Sequence, residues 1–284
     1  MKLRLYKLKA MTAAAHKPLP PLVCHPGAKH FSKHLVIERI PEHSVYVEPF
    51  FGGGSVFFAK PSSQKEVISD QDKGLMGFYK KLDCRKLTRC VQSMIALGKN
   101  PEKIRPYWRR HADKLASGSS DSCNVWIGKS LGYGCKSAKP SFSPKSAEVH
   151  AGKSKILGGK CERYKERLTQ ATILSGDYQK VVNRYDSKKT FFYLDPPWLG
   201  VSNQGANRSM YHGENTTSPE SVCAFLRRIK GKFLLHYDDN PRIRKACKGF
   251  YIERVPWRSG MQGGSERKTA LLISNYRTPK RRTR

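Results

Sequence analysis

Seven short runs of β-branched, aromatic and aliphatic residues, spaced among segments of helical character, constrain this fold most. They are VYVEPF at 45–50, EVISD at 66–70, ATILS at 171–175, TFFYLD at 190–195, KFLLHYDD at 232–239, FYIERV at 250–255 and TALLISNY at 269–276. Helices are expected from SVFFA after the triple glycine at 52–54, through GLMGFYKKL, from GDYQKVV, and near 218–229. Strands alternating with helices predict an α/β domain with a mostly parallel sheet, which binds ligands at the carboxyl ends of its strands. At 284 residues the chain can bury a large core without staples.

The alternation breaks between the second and third strands. Residues 80–167 carry 21 Lys/Arg against 7 Asp/Glu, look mostly helical, and are punctuated by SGSSDS and SAKPSFSPKSA. This stretch is expected to be an insertion with its own task. Across the whole chain, 54 Lys+Arg against 22 Asp+Glu give a net charge of +32. Such an excess strains a compact state by self-repulsion and points to a polyanionic partner, nucleic acid first.

The eight cysteines contain no C-x-x-C pair, which removes the usual zinc spacing and the dithiol redox motif and leaves structural thiols in a reducing compartment as the expectation. No stretch approaches the roughly 20 apolar residues of a membrane span, and the basic start lacks the apolar core of a signal peptide. An intracellular protein is therefore expected, monomeric and without a membrane partner. Residues 1–30 read as a basic, Pro-rich arm, and 277–284 as a basic tail without apolar periodicity.

Two constellations carry chemistry. In the first, Glu48, Pro49, Phe50, Phe51, Gly52, Gly53 and Gly54 close a hydrophobic strand, and Asp70 ends the next. Glycines there let the backbone approach a ligand, and an acid ending the second strand can accept hydrogen bonds from a ribose diol, which suits a nucleoside. Asp70 could equally cap the helix that follows. Neither a P-loop nor a G-x-G-x-x-G motif is present.

The second constellation is Asp195-Pro196-Pro197-Trp198 after TFFYL. The lone pair of an adenine amino nitrogen is delocalised into the ring, so reaction at that nitrogen calls for acceptors that hold its protons. A carboxylate and the rigid Pro196 carbonyl can supply them, and the Trp198 indole offers a face for an extruded base. The alternative is a strand-ending turn with a packed Trp. The amine of cytosine poses the same lone-pair problem.

EPFFGGGSVFF, ISDQDKGLMGFYKKL, SGDYQKVV, YLDPPW, FLLHYDDNPRIR and TALLISNY resemble, in order, the motifs of the Dam-type (D12 class) DNA adenine methyltransferases. The resemblance implies a Rossmann-like fold that uses S-adenosylmethionine as cofactor and needs no metal, with a mostly helical basic insertion. It implies that Glu48 to Gly54 and Asp70 hold the cofactor while Asp195, Pro196, Pro197 and Trp198 meet the amine. His25-Pro26-Gly27-Ala28-Lys29 is similar to the family's N-terminal cofactor signature, with Lys29 at the basic position and His25 replacing an aromatic. Asp177 resembles an acid that meets the cofactor's adenine, and could otherwise cap a helix.

The family's organisation implies a catalytic domain at 31–80 and 168–276 and an inserted target-recognition domain at 81–167. WIGKSLGYGCKS at 126–137 resembles the family's recognition segment only faintly, with Tyr133 and Lys136 as candidate DNA contacts. Methylation of RNA adenine, or a catalytically silent DNA-binding protein on the same fold, are the rival readings.

Overall fold

The computed structural model describes residues 17–27, 32–152, 159–198, 218–257 and 268–279. Among them, seven strands form one sheet: β1 Val45–Glu48, β2 Lys65–Asp70, β3 Ala171–Ser175, β4 Thr190–Leu194, β5 Lys232–Asp238, β6 Tyr251–Trp257 and β7 Lys268–Ser274. Their order is β3-β2-β1-β4-β5-β7-β6. The first five run parallel, and β7 pairs antiparallel with both β5 and β6. Each of the seven expected runs is a strand of this Rossmann-like sheet.

The central strands are continuous apolar runs because they are covered on both faces. All five residues of β4 are buried, as are Phe233 to Tyr237 of β5. The helices are α1 Lys33–Ile37, α2 Lys73–Lys80, α3 Cys84–Ala96, α4 Pro101–Ala116, α5 Ser122–Ser130, α6 Pro144–Gly152, α7 Lys160–Thr169, α8 Tyr178–Tyr185, α9 Pro219–Leu226 and α10 Pro241–Ala246. Short polar residues start most of them: Asp72, Asp83, Asn100, Asp121, Asp177, Ser218 and Asn240 each accept a backbone N–H of the first turn. SVFFA departs from expectation. It forms only successive turns, with Phe58 N donating to Gly54 O and Lys60 N to Val56 O, before Pro61 ends the segment.

Helices α3 to α7 fill the basic stretch between α2 and β3. α5 lies at their centre, with all nine of its residues buried. Trp108 and Trp126 are buried with it, and Trp108 Nε1 donates to Gly128 O at 3.1 Å. The far end of the stretch is fastened to the sheet by charge. Glu66 on β2 accepts from Lys60 Nζ at 2.5 Å and from both Arg167 terminal nitrogens, and all three residues are buried. Among the described residues, no helix is long and apolar enough to cross a membrane.

The expectation of structural thiols is overturned. All eight cysteines are paired, as Cys24–Cys135, Cys84–Cys161, Cys90–Cys123 and Cys223–Cys247. The partners stand 111, 77, 33 and 24 residues apart. A search for local spacing cannot find such pairs, because only the packing of distant segments brings them together.

Candidate active site

The strand order brings the two constellations to one sheet edge. β1 lies between β2 and β4, all parallel, so Glu48 ends the middle strand, Asp70 ends one neighbour, and Asp195 follows the other. Here the order of connections reverses on either side of β1, the crevice where open α/β sheets take ligands.

Asp70 organises the glycine turn. Its Oδ2 accepts from Gly52 N at 2.8 Å and its Oδ1 from Asp72 N at 3.0 Å, while Tyr79 Oη donates to Gly52 O at 3.0 Å. A carboxylate has about four acceptor positions, so two remain for hydroxyls of a ligand. Burial raises the Asp70 pKa above its ordinary value, and the two backbone donors oppose that rise. Asp70 does not cap the next helix; Asp72 does, accepting from Leu75 N.

Gly52 and Gly54 sit at φ +49° and +67°, in the region that favours glycine. A Cβ on Gly52 would fall 2.7 Å from His25 Cδ2, so the His25 ring lies directly against the turn. The arm therefore reaches the glycine turn at His25. Lys29 lies outside the described residues.

Glu48 is 2 % exposed and accepts from Tyr46 Oη at 2.7 Å. Burial, reinforced by the negative charge of Asp195, pushes its pKa up to about 8 against the opposing Tyr46 bond. At neutral pH Glu48 thus carries a proton. Pro49 is buried, and half-buried Phe50 packs on Tyr178 at 4.9 Å between ring centroids. Asp177 caps α8, its Oδ1 accepting from Gln179 N and Lys180 N.

Asp195 and Pro197 are half-buried and Pro196 is buried. Trp198 is 7 % exposed, edge-on to His236 at 5.5 Å and stacked with Tyr237 at 6.4 Å. The indole is thus packed against β5.

On the inserted side, Tyr133 is the most exposed of the segment's aromatics at 57 %, and Lys136 is half-buried. Tyr133 N donates to Ser141 O, and Gly132 pairs with Phe142, so the segment folds back as a small loop. Two residues beside it join the site although the sequence reading passed over them. Lys129 Nζ donates to Ser137 Oγ at 2.6 Å and to Cys135 O at 3.1 Å, and Ser137 Oγ donates to Asp72 Oδ2 at 3.3 Å. The signal was a lone lysine in the apolar run VWIGKSL.

The chain is similar to known proteins over most of its length. Residues 26–121 and 150–261 match the D12 class N6 adenine-specific DNA methyltransferase family, leaving 122–149 unmatched. The chain is 25 % identical over 258 residues to the Type II methyltransferase M.MjaIII of Methanocaldococcus jannaschii, an alignment covering 81 % of this chain and 88 % of that one. It is 25 % identical over 271 residues to the Type II methyltransferase M1.LlaDCHI of Lactococcus lactis subsp. cremoris, covering 88 % and 93 %. With matching segments on both sides of residues 122–149 and the motif-bearing strand ends gathered at one edge, the chain belongs to the D12 class N6 adenine-specific DNA methyltransferase family.

Proposed function

We propose that this protein transfers a methyl group from S-adenosylmethionine to the exocyclic amino group of adenine in DNA. The adjacency of β1, β2 and β4 carries the reading, because it gathers the glycine turn, Asp70 and Asp195 at one crevice. A bound S-adenosylmethionine supplies an electrophilic methyl group on a sulfonium.

Asp70 accepts from the ribose hydroxyls with the lone pairs that Gly52 and Asp72 leave it. The side-chain-free backbone of Gly52 and Gly54 allows close approach, with Glu48, Pro49 and Phe50 as one wall and His25 against the turn, and Lys29 of the same motif is a further cofactor contact. Asp177 meets the cofactor's adenine while capping α8. At the target base, the Asp195 carboxylate and the Pro196 carbonyl accept hydrogen bonds from the two amine N–H groups and draw the nitrogen toward tetrahedral geometry; the one proton released on methylation leaves by way of the carboxylate. Pro197 keeps the turn rigid. Trp198, held by His236 and Tyr237, is the aromatic beside Asp195 against which the extruded base stacks.

The stretch 81–167 serves as the target-recognition domain between the catalytic segments 31–80 and 168–276. Tyr133 and Lys136 are its DNA contacts, and the arm 1–30 and tail 277–284 are basic accessories.

The test pairs two variants. Asp195→Ala should cost on the order of 10²-fold or more in turnover, the usual cost of losing a preorganised polar group, with cofactor affinity within a few-fold. Asp70→Ala should weaken cofactor binding first. Turnover above about a tenth of normal in Asp195→Ala, or unchanged calorimetric affinity in Asp70→Ala, would contradict these roles.

A further inference from the structure

Lys129 is 1 % exposed at the centre of the insertion, yet its hydrogen bonds lead to the catalytic domain. From its Nζ the path runs through Ser137 Oγ to Asp72 Oδ2. The Asp72 backbone N–H then holds Asp70 Oδ1, and Asp70 Oδ2 holds the Gly52 N–H. Five residues thus link α5 to the glycine turn. Cys135 adds a second tether: its carbonyl accepts from Lys129, and its sulfur is bonded to Cys24, the residue before His25, which lies on Gly52. Lys129, Cys135 and Ser137 all fall in the segment that the family match leaves out.

We propose that Lys129 is a positioning residue of the cofactor site, acting through Ser137 and Asp72 to fix the Asp70 carboxylate and the Gly52 turn, so that the inserted domain completes the pocket. The inference rests on the S-adenosylmethionine reading given above. An ammonium at Lys129 can only donate, so the Ser137 hydroxyl accepts from it and turns its own proton to Asp72, whereas a neutral amine can accept that proton instead. Burying such a charge is unfavourable for the fold. Desolvation holds the Lys129 pKa down at about 8, with Asp72 and Asp70 opposing that shift. Core packing alone would be better served by an apolar side chain. The charged and titratable groups facing this network are Asp70, Asp72 and Tyr79, and burial places Tyr79 well above its ordinary range.

The sign follows from these groups. Lys129 is protonated at pH 7 and loses its proton as the pH rises through about 8. Its support of Asp72 should fade over that interval. The cofactor's own amino group also titrates near roughly 8, but alike in every variant, so the ratio between wild type and variant isolates the lysine.

The experiment is calorimetric titration of S-adenosylmethionine into the full chain without DNA, from pH 6.5 to 9.5, for wild type, Lys129→Met and Ser137→Ala. At pH 7 Lys129→Met should bind roughly tenfold more weakly, as expected for loss of a charge-assisted hydrogen bond, with Ser137→Ala intermediate. The gap should narrow toward about twofold at the alkaline end. A purely structural lysine would not give that convergence. Affinity within twofold of wild type at every pH in Lys129→Met overturns the proposal while leaving the cofactor reading intact. Should Lys129→Met fail to fold by circular dichroism, wild-type affinity in Ser137→Ala overturns it equally. Folded wild type with no saturable binding overturns the cofactor reading, and this proposal with it.

Discussion

Glu48 shows how one side chain can be read correctly in place and incompletely in chemistry. Its position at the end of an apolar strand marked it from sequence, but its protonation state is set first by burial in the folded core, with Asp195, 147 positions further along the chain, adding to the rise. With its pKa near 8 in the fold and an ordinary carboxylate value when unfolded, the unfolded chain releases a proton that the native state keeps. Stability contributed by the protonated form is therefore complete below about pH 4.5 and is lost as pH rises toward 8. Glu48→Gln retains the Tyr46 bond without the buried charge. Its Tm should exceed that of wild type by at least about 2–4 °C at pH 8, with the gap closing toward pH 4.5. A gap of equal size at both pH values would show that ionisation is not the cause. Asp70 and Asp72 carry a related lesson. The sequence offered the cap of the next helix to Asp70, but the cap falls to the residue two positions later, leaving both Asp70 oxygens to brace backbone at the site. No propensity distinguishes two aspartates that close together; the strand's exit direction does.

At the level of elements, every strand was legible: the central parallel ones are written as unbroken apolar runs between turn residues, and the more exposed β3 and β6 as short β-branched or aromatic stretches. SVFFA was not, since its aromatics serve a cluster around Phe51, Phe58 and Tyr79, whose rings lie 4.9–6.3 Å apart, rather than a helix face. The cysteines were the least legible feature. Cys84–Cys161 joins the first and last helices of the inserted stretch, α3 and α7, and Cys24–Cys135 joins the arm to the loop that carries Tyr133. Both close long loops, for which a cross-link restricts the unfolded chain most, typically by about 2–4 kcal/mol each. Calorimetric melting with and without a strong reductant should therefore show a clear fall in Tm on reduction, and Cys84→Ser/Cys161→Ser should reproduce part of it. Identical melting in both conditions, with eight titratable thiols, would restore the free-thiol expectation.

For the molecule as a whole, the net charge of +32 announced a polyanion but not where it is read. Arg277 of the tail is described near β6 and β7, and Thr278 donates to Glu253, whereas Lys280 onward lies outside the described residues. Tyr133 and Lys136 sit instead on a folded loop in the stretch without a family match. Phosphate contacts set affinity and base contacts set specificity. Truncation after Tyr276 should accordingly weaken DNA binding and flatten its salt dependence, by about 0.9 in log–log slope per lost phosphate contact, without altering the methylated sites. Tyr133→Ala and Lys136→Ala should alter them. Site mapping that gave the opposite pattern would reverse the assignment. The central claim is tested most directly by incubating the purified protein with methyl-labelled S-adenosylmethionine and, separately, duplex DNA, single-stranded DNA and RNA, then digesting to nucleosides. Label recovered as N6-methyladenine from DNA is the predicted result; label confined to RNA or to cytosine, or none in any polymer, would contradict it.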